Sequence, residues 1–347
     1  MLLAGTLAVP ESAFAEITPE RPSVSLSQQN GKVVCVVEDP FGPVIGASVV
    51  VKGTTNGNVT DMDGKVVLEN LKKGDMIQMN TIIYIILGII QGLTEPLPIS
   101  SSGHIFLFKN LFNTEMFNSL NFEIISNFGS FVAIFIIFWK DIKELVSSFF
   151  IYIFNKDKRS ENKNKFKYCW LVVISTIPVG ITGLLFKDKL ENLYNLKGLA
   201  IAFLITALAL FIVRNIKGTK GDYDITIKDA IVIGLFQMIT IIPGISRSGT
   251  VLVACLLCNL KRETALKYTF ILYFPVSVAT MILGVSDLIS TPELSSLLIP
   301  YFLGMITAGV VTYISYKWLS NFVKKGKLYY FSIYCLLLSI FIFLYFR

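Results

Sequence analysis

From residue 80 onward the chain alternates long apolar runs with short polar stretches rich in lysine and arginine. Six of the runs, near 122–139, 168–186, 198–214, 268–286, 294–316 and 328–346, are long enough to cross a bilayer. A spanning helix needs roughly 17–25 residues, and each run is predicted to be one. Two other apolar segments, about 80–112 and 230–260, are broken by Pro, Gly and Ser into short arms that cannot cross twice. Interrupted backbone survives at membrane depth only when protein or a wet cavity surrounds it, so both are predicted to be re-entrant helical hairpins. Before residue 79 the pattern changes to strand-like alternation over 31–75, with turns at Asp39-Pro40-Phe41-Gly42, Asn56-Gly57 and Asp63-Gly64. The predicted fold class is an all-α polytopic membrane protein of six spans and two hairpins, preceded by a short, truncated β-sandwich-like fragment.

The two hairpins are copies of one another. A shift of 146 positions superposes Gly88 on Gly234, Gln91 on Gln237, Thr94 on Thr240 and Ile99 on Ile245. It also places Ser100, Ser102 and Gly103 on Ser246, Ser248 and Gly249, giving seven identities across the 16 positions 88–103. Each copy precedes three spans, giving repeats of about 80–214 and 230–346. An odd number of crossings inverts the second copy, so the hairpins are expected to enter from opposite faces and meet near the midplane, as in inverted-repeat transporters.

Composition agrees with the bilayer reading: the chain is 53% hydrophobic and only 16% charged. Its net charge of +7 is carried by alternate loops. The loops at 140–167, 214–228, 261–267 and 317–327 hold nineteen basic residues, against four in the remaining loops. By the positive-inside rule the first set is cytoplasmic and the residues near 115, 190 and 290 lie outside. The charge is thereby explained without nucleic acid as a partner.

Few ionisable residues interrupt the apolar segments, and three of them fall in the hairpins: Glu95, His104 (the sole histidine) and Arg247. Such groups are costly at membrane depth and mark function by default. Arg247 offers a planar donor fork suited to phosphate. Gly244, Ser246, Ser248 and Gly249 surround it with hydroxyls and backbone N–H groups at a helix start, which favours anions. A carboxylate such as Glu95 beside an anion makes sense if a divalent cation bridges them, or if it holds and charges His104. His104 could attack phosphorus or shuttle a proton, and Ser100, Ser101 and Ser102 offer alternative nucleophiles. The bland readings are also open. Thr94 and Ser102 could simply bond their own helix, and the hinge Gly and Pro residues are read as architectural. Glu123 reads as an interface charge. Cys35, Cys169, Cys255, Cys258 and Cys335 read as packing residues, with neither a zinc site nor a disulfide framework.

Residues 79–347 resemble the undecaprenyl-diphosphate phosphatase family of the bacitracin-resistance type. The family's first motif, Glu or Gln followed four positions later by Glu, is matched by Gln91-Gly-Leu-Thr-Glu95, and its continuation to Gly-His by Ser100, Ser101, Gly103 and His104. Its second motif is matched by Pro243-Gly244-Ile245-Ser246-Arg247-Ser248. The resemblance implies removal of the terminal phosphate from undecaprenyl diphosphate at the outer face of the bacterial cytoplasmic membrane. That reaction recycles the carrier lipid for peptidoglycan synthesis and lowers bacitracin sensitivity. It further implies a divalent cation, Mg²⁺ or Ca²⁺, with Glu95 as a metal ligand, and leaves room for a homodimer. Carried over, Glu95 and His104 are catalytic, Ser101 is nucleophile or phosphate ligand, and Arg247 holds the diphosphate with Gln91, Ser100, Gly244, Ser246 and Ser248 around the substrate. The sequence departs from the family pattern at three places. Gln91 is the neutral option, Pro96 replaces an aromatic, and Thr250 stands one place before the motif's last threonine, where Val251 is found. The competing class is a secondary transporter or flippase for a phosphorylated lipid or another anion, since the architecture is transporter-like. Glu95 with His104 favours the enzyme.

The first 78 residues are different in kind. Residues 1–15 resemble the tail of a secretory signal peptide ending at Ser12-Ala13-Phe14-Ala15. Residues 16–78 resemble part of the carboxypeptidase-regulatory-like domain of TonB-dependent receptors, through Gly46–Gly57 and Thr60–Gly64. Met79 reads as an original start, which makes the chain a fusion. A third reading, a surface binding module, would rest on this fragment alone, which holds no catalytic constellation.

Overall fold

A computed structural model of the chain describes residues 23–29, 32–39, 42–43, 48–50, 57–68, 73–112, 119–190, 195–289 and 294–346. The signal-like segment 1–15 lies outside them. The chain divides into two compact units, Met1–Asn80 and Thr81–Arg347. In the first, β2 (Lys32–Asp39) pairs antiparallel with β1 (Ser23–Gln29), β3 (Gly42–Pro43) and β6 (Lys65–Leu68), while β4 (Ser48–Val50) pairs with β5 (Gly57–Val59). The Asp63-Gly64 turn is present. Asp61 Oδ1 accepts the N–H groups of Asp63 and Lys65 at 2.9 Å, and Gly64 supplies a φ of +69°.

The second unit is helical. A hairpin formed by α1 (Lys73–Thr94) and α2 (Ser101–Phe112) precedes α3 (Ser119–Phe154), α4 (Arg159–Leu190) and α5 (Leu196–Val213). A second hairpin, α6 (Ile227–Ile239) and α7 (Arg247–Leu257), precedes α8 (Arg262–Ile289), α9 (Leu294–Lys324) and α10 (Tyr329–Tyr345). Five helices, α3, α4, α5, α8 and α9, are long and apolar enough to cross a membrane, and α10 is a shorter apolar helix. Several helices outrun the apolar stretch that predicts them. Residues 140–154 contain neither Gly nor Pro, so α3 continues as helix past its apolar run.

Close packing relies on small residues. A Cβ on Gly88 would run into the carbonyl of Gly304, which brings α1 backbone-to-backbone against α9. A Cβ on Gly234 would sit 2.8 Å from the Ser175 carbonyl oxygen, which does the same for α6 against α4. Lipid tails are as apolar as leucine, so contacts of this kind, with interhelical hydrogen bonds, hold membrane helices together. Ser332 and Ser339 of α10 donate to the carbonyls of Ala207 and Ala200 on α5, both at 2.7 Å. Ser175 of α4 donates to Ala230 O on α6 at 2.8 Å.

Charged residues gather at one end. Lys267 pairs with Asp141 at 2.6 Å and Asp222 at 3.1 Å, Lys165 with Glu144 at 2.5 Å, and Lys324 with Glu263 at 3.4 Å. Arg262 donates to the carbonyls of Ile216 at 3.1 Å and Arg214 at 3.3 Å. Both ends of the second hairpin are tied here: Lys220 pairs with Asp229 at 2.8 Å, and the amide of Lys261 donates to Lys220 O at 2.9 Å.

Gly88→Val tests the tightest crossing. A β-branched side chain there overpacks α1 against α9 and should cost about 1–3 kcal/mol, lowering the melting temperature of the detergent-purified protein by roughly 2–10 °C. Gly180→Ala, where nothing lies within 4 Å of the added Cβ, should leave the melting temperature unchanged or slightly raised.

Candidate active site

The hairpin hinges are built by the same local rules. Pro96 and Pro98 cannot continue α1, and its last turn closes with Thr94 Oγ1 donating to Ile90 O at 2.6 Å. The chain then turns through Ser100, which adopts a left-handed φ of +67°, rare for a residue with a side chain. In the second hairpin the left-handed residue is Gly244, φ +87°, where a Cβ would also sit 2.7 Å from the Leu199 side chain. Ser100 Oγ accepts the Gly103 N–H at 3.3 Å, and Ser246 Oγ accepts the Gly249 N–H at 3.1 Å, so each caps the returning helix. Ser102 and Ser248 lie 3.5 Å and 3.3 Å from those cap hydroxyls. Thr94 and Thr240 both bond back to their own helices, the structural alternative for Thr94.

The hinges touch. Ser248 Oγ donates to Leu97 O at 3.0 Å, and a Cβ on Gly249 would lie 3.1 Å from the Pro98 Cβ. This junction brings a carboxylate from one hairpin and a guanidinium from the other to the same small cavity. Glu95, Gln237, Arg247, Ser248 and Tyr273 line it.

On the acidic side, Glu95 Oε2 accepts two hydrogen bonds, one from Gln91 Nε2 at 3.0 Å and a short one from Ser101 Oγ. Gln91 is fully buried and uses the other proton of the same nitrogen to reach Asn127 Oδ1 on α3 at 2.7 Å. The neutral amide therefore acts as a donor that orients Glu95. On the basic side, Arg247 is the first residue of α7. Its Nη1 donates to Ser277 Oγ at 3.4 Å, and its guanidinium lies 5.6 Å from the centre of the Tyr273 ring. Ser101 is held against Glu95, whereas the Ser100 and Ser102 hydroxyls have only each other and the helix cap as partners among the described residues.

His104 is placed differently. Its Nδ1 lies 2.6 Å from the Ser100 carbonyl, which can only accept, so Nδ1 carries the proton. Nε2 then accepts from the Tyr334 hydroxyl at 2.7 Å. The ring meets Phe203 edge-on at 5.3 Å, towards α5 and α10. The structure thus brings Glu95, Ser101, Arg247 and Ser248 together and leaves His104 behind them, anchoring the strained Ser100. No hydrogen bond joins His104 to Glu95 among the described residues. Glu123, read as an interface charge, faces the charges of Glu95, Arg247 and Lys109.

Asn127, Gln237 and Tyr273 escape a motif-based reading, although the sequence carries a signal for them. The shift of 146 that relates the hairpins also places Asn127 on Tyr273 and Glu123 on Thr269, and Thr269 lines the same cavity. Polar residues recurring one turn apart inside two matched apolar spans mark a shared interior face.

The sequence model of the family described as bacitracin resistance protein BacA matches residues 84–341. Undecaprenyl-diphosphatase 2 of Bacillus thuringiensis (strain Al Hakam) is 43% identical over 258 residues, covering 74% of this chain and 94% of the relative. Undecaprenyl-diphosphatase of Oceanobacillus iheyensis is 42% identical over 260 residues, again 74% and 94%. Undecaprenyl-diphosphatase 1 of Halalkalibacterium halodurans is 40% identical over 253 residues, 73% of this chain and 91% of the relative.

The Gln91 relay predicts the effect of removing its far end. Asn127→Leu leaves a buried amide proton without its acceptor and should cost about 1–3 kcal/mol in thermal unfolding. Asn127→Asp retains an acceptor at that position and should cost less. Equal stability of all three proteins would contradict the relay.

Proposed function

The chain belongs to the bacitracin resistance protein BacA family, and on that footing we propose that it hydrolyses undecaprenyl diphosphate to undecaprenyl phosphate and inorganic phosphate. The observation that carries the reading is the hydrogen bond from Ser101 Oγ to Glu95, in reach of a cavity that Arg247 also lines. A hydroxyl resting on a carboxylate is a nucleophile with its base in place. Ser101 Oγ attacks the terminal phosphorus and Glu95 takes its proton. The anhydride bond breaks and undecaprenyl phosphate leaves. Glu95 passes that proton to the departing undecaprenyl phosphate, then deprotonates the water that cleaves the phosphoserine and hands this second proton to the released Ser101 oxygen.

Phosphoryl transfer needs chiefly positioning and charge neutralisation. Arg247 supplies a fork for the phosphate oxygens, and its contacts with Ser277 and Tyr273 limit how it can turn. Ser246 and Gly244 shape the turn that presents it, Ser248 ties the two hairpins, and Gln91 fixes the Glu95 carboxylate. His104 and Ser100 are assigned a supporting role, holding the left-handed turn from which Ser101 projects. A Mg²⁺ or Ca²⁺ ion fits the donors present. Both hydrogen bonds to Glu95 fall on Oε2, so Oε1 takes none from the described residues, and it is a hard oxygen of the type these ions select. When bound, such an ion supplies neutralisation of the phosphate charge beside the carboxylate.

The architecture proposed around this site has α10 as a sixth span and two inverted repeats. Matched hinges, matched caps and matched glycine crossings (α1 on α9, α6 on α4) support it. The gathering of basic residues at one end supports an inner-membrane orientation with that end cytoplasmic and the first hairpin opening outward. A carrier would need the arginine pocket but has no use for a serine seated on a carboxylate, which is why the enzyme reading is preferred to transport.

Phosphate release from undecaprenyl diphosphate by the purified protein tests the proposal. Ser101→Ala should lower the rate about 10²–10⁴-fold by removing the attacking group and its proton relay. Arg247→Ala should lower it about 10²–10³-fold by removing charge stabilisation. Near-normal rates in both variants would sink the assignment of the site.

A further inference from the structure

The two repeats use the same pair of positions in opposite ways. In the first, Gln91 bonds both Asn127 and Glu95. In the second, the equivalent positions are Gln237 and Tyr273, and the place of Glu95 is taken by Ile241. Gln237 therefore has no carboxylate one turn on. Its side chain is 1% exposed and its Oε1, like that of Gln91, has no hydrogen-bond partner among the described residues. The buried Tyr273 hydroxyl, beside Ser277, also meets no full hydrogen-bond partner among the described residues. Both residues line the cavity with Glu95 and Arg247.

Two such buried oxygens on residues that line one cavity, beside a carboxylate oxygen that accepts nothing from the described residues, call for an occupant. Gln237 Oε1 and Glu95 Oε1 are acceptors, so the occupant must bring donors or positive charge. The free space within it is about 20 Å³. That is room for one water-sized species, which needs roughly 10–15 Å³. A water would satisfy the geometry of the resting site. It would do nothing for the repulsion between Glu95 and the incoming diphosphate, which a cation removes.

We propose that Gln237 is a ligand of the divalent cation: its side-chain carbonyl and Glu95 Oε1 bind the ion from the two hairpins, and phosphate oxygens and waters complete the shell. The inference rests on the phosphatase reading for its substrate but is tested apart from it. Amide carbonyls are ordinary Ca²⁺ ligands, and Mg²⁺ takes one or two protein oxygens and leaves the rest to water and phosphate. Tyr273 Oη lies in the same cavity to accept from an ion-bound water. The second hairpin thus contributes to the cation as well as to the anion, and neither hairpin binds both partners alone.

The test is Mn²⁺ binding to the full-length protein in detergent, followed by loss of the free-ion electron paramagnetic resonance signal. Wild type, Gln237→Leu and Gln237→Glu are compared, with phosphate release from undecaprenyl diphosphate measured on the same wild-type preparation. Gln237→Leu should weaken Mn²⁺ binding tenfold or more, and Gln237→Glu, with a second carboxylate at the ion, should tighten it. Unchanged affinity in both variants overturns the proposal and leaves the cavity to a bound water. If Gln237→Leu does not fold, Gln237→Glu decides: tighter binding supports the ligand role and unchanged binding removes it. Wild-type phosphate release alongside unchanged affinities would sink the Gln237 role and leave the phosphatase standing. Absent wild-type release would sink the phosphatase reading, while the affinities still decide the ligand.

Discussion

A helix that breaks inside hydrocarbon exposes backbone groups that water cannot reach, and the rest of this structure follows from how those groups are satisfied. The two broken hairpins satisfy part of that need on each other and part within themselves. Ser248 donates to the Leu97 carbonyl, which also accepts the Ile99 N–H, and Gly249 packs on Pro98. Serine caps at Ser100 and Ser246 serve the amides at the start of each returning helix. Because the hinges are interdependent, the side chains they carry are held at the junction. The constraint that makes the fold possible is also the one that brings Glu95 to Arg247.

The duplicated frame is symmetric and its chemistry is not. At the place where one hairpin has Glu95, the other has Ile241, and where one has Ser101, the other has Arg247. One hairpin therefore carries a hydroxyl seated on a carboxylate, while the other carries a guanidinium at the start of its returning helix. The Gln91 and Gln237 pair carries this division further. Both amide oxygens lack a hydrogen-bond partner among the described residues, but Gln91 donates to the carboxylate whereas Gln237 lines the cavity.

Much of this arrangement is legible in the amino-acid sequence. Broken segments with Pro96, Pro98 and Gly244 announce hairpins, and an intramembrane Glu95 and Arg247 announce a site, because charge in hydrocarbon has few bland explanations. The lengths of α3 and α9 are not legible from hydropathy, which stops at the first lysine while helix propensity does not. The direction of His104 is not legible either. It follows Ser101 by three residues on one helix, yet its ring is captured by Ser100 O and Tyr334 on α10. Such capture depends on long-range packing that no local motif encodes. Asn127 and Tyr273 stand in the sequence as polar residues in apolar runs at matched repeat positions. What conceals them is that a single Asn or Tyr in a span is common, and only their partners give them meaning.

The central claim is that Ser101, seated on Glu95, attacks the phosphorus itself. The stereochemical course at the terminal phosphorus tests it most directly, using undecaprenyl diphosphate made chiral there with sulfur and heavy oxygen and turned over in isotopically labelled water. Attack by Ser101 followed by water inverts the centre twice, so net retention is expected in the released thiophosphate. Net inversion would show a single displacement by water and contradict the serine mechanism.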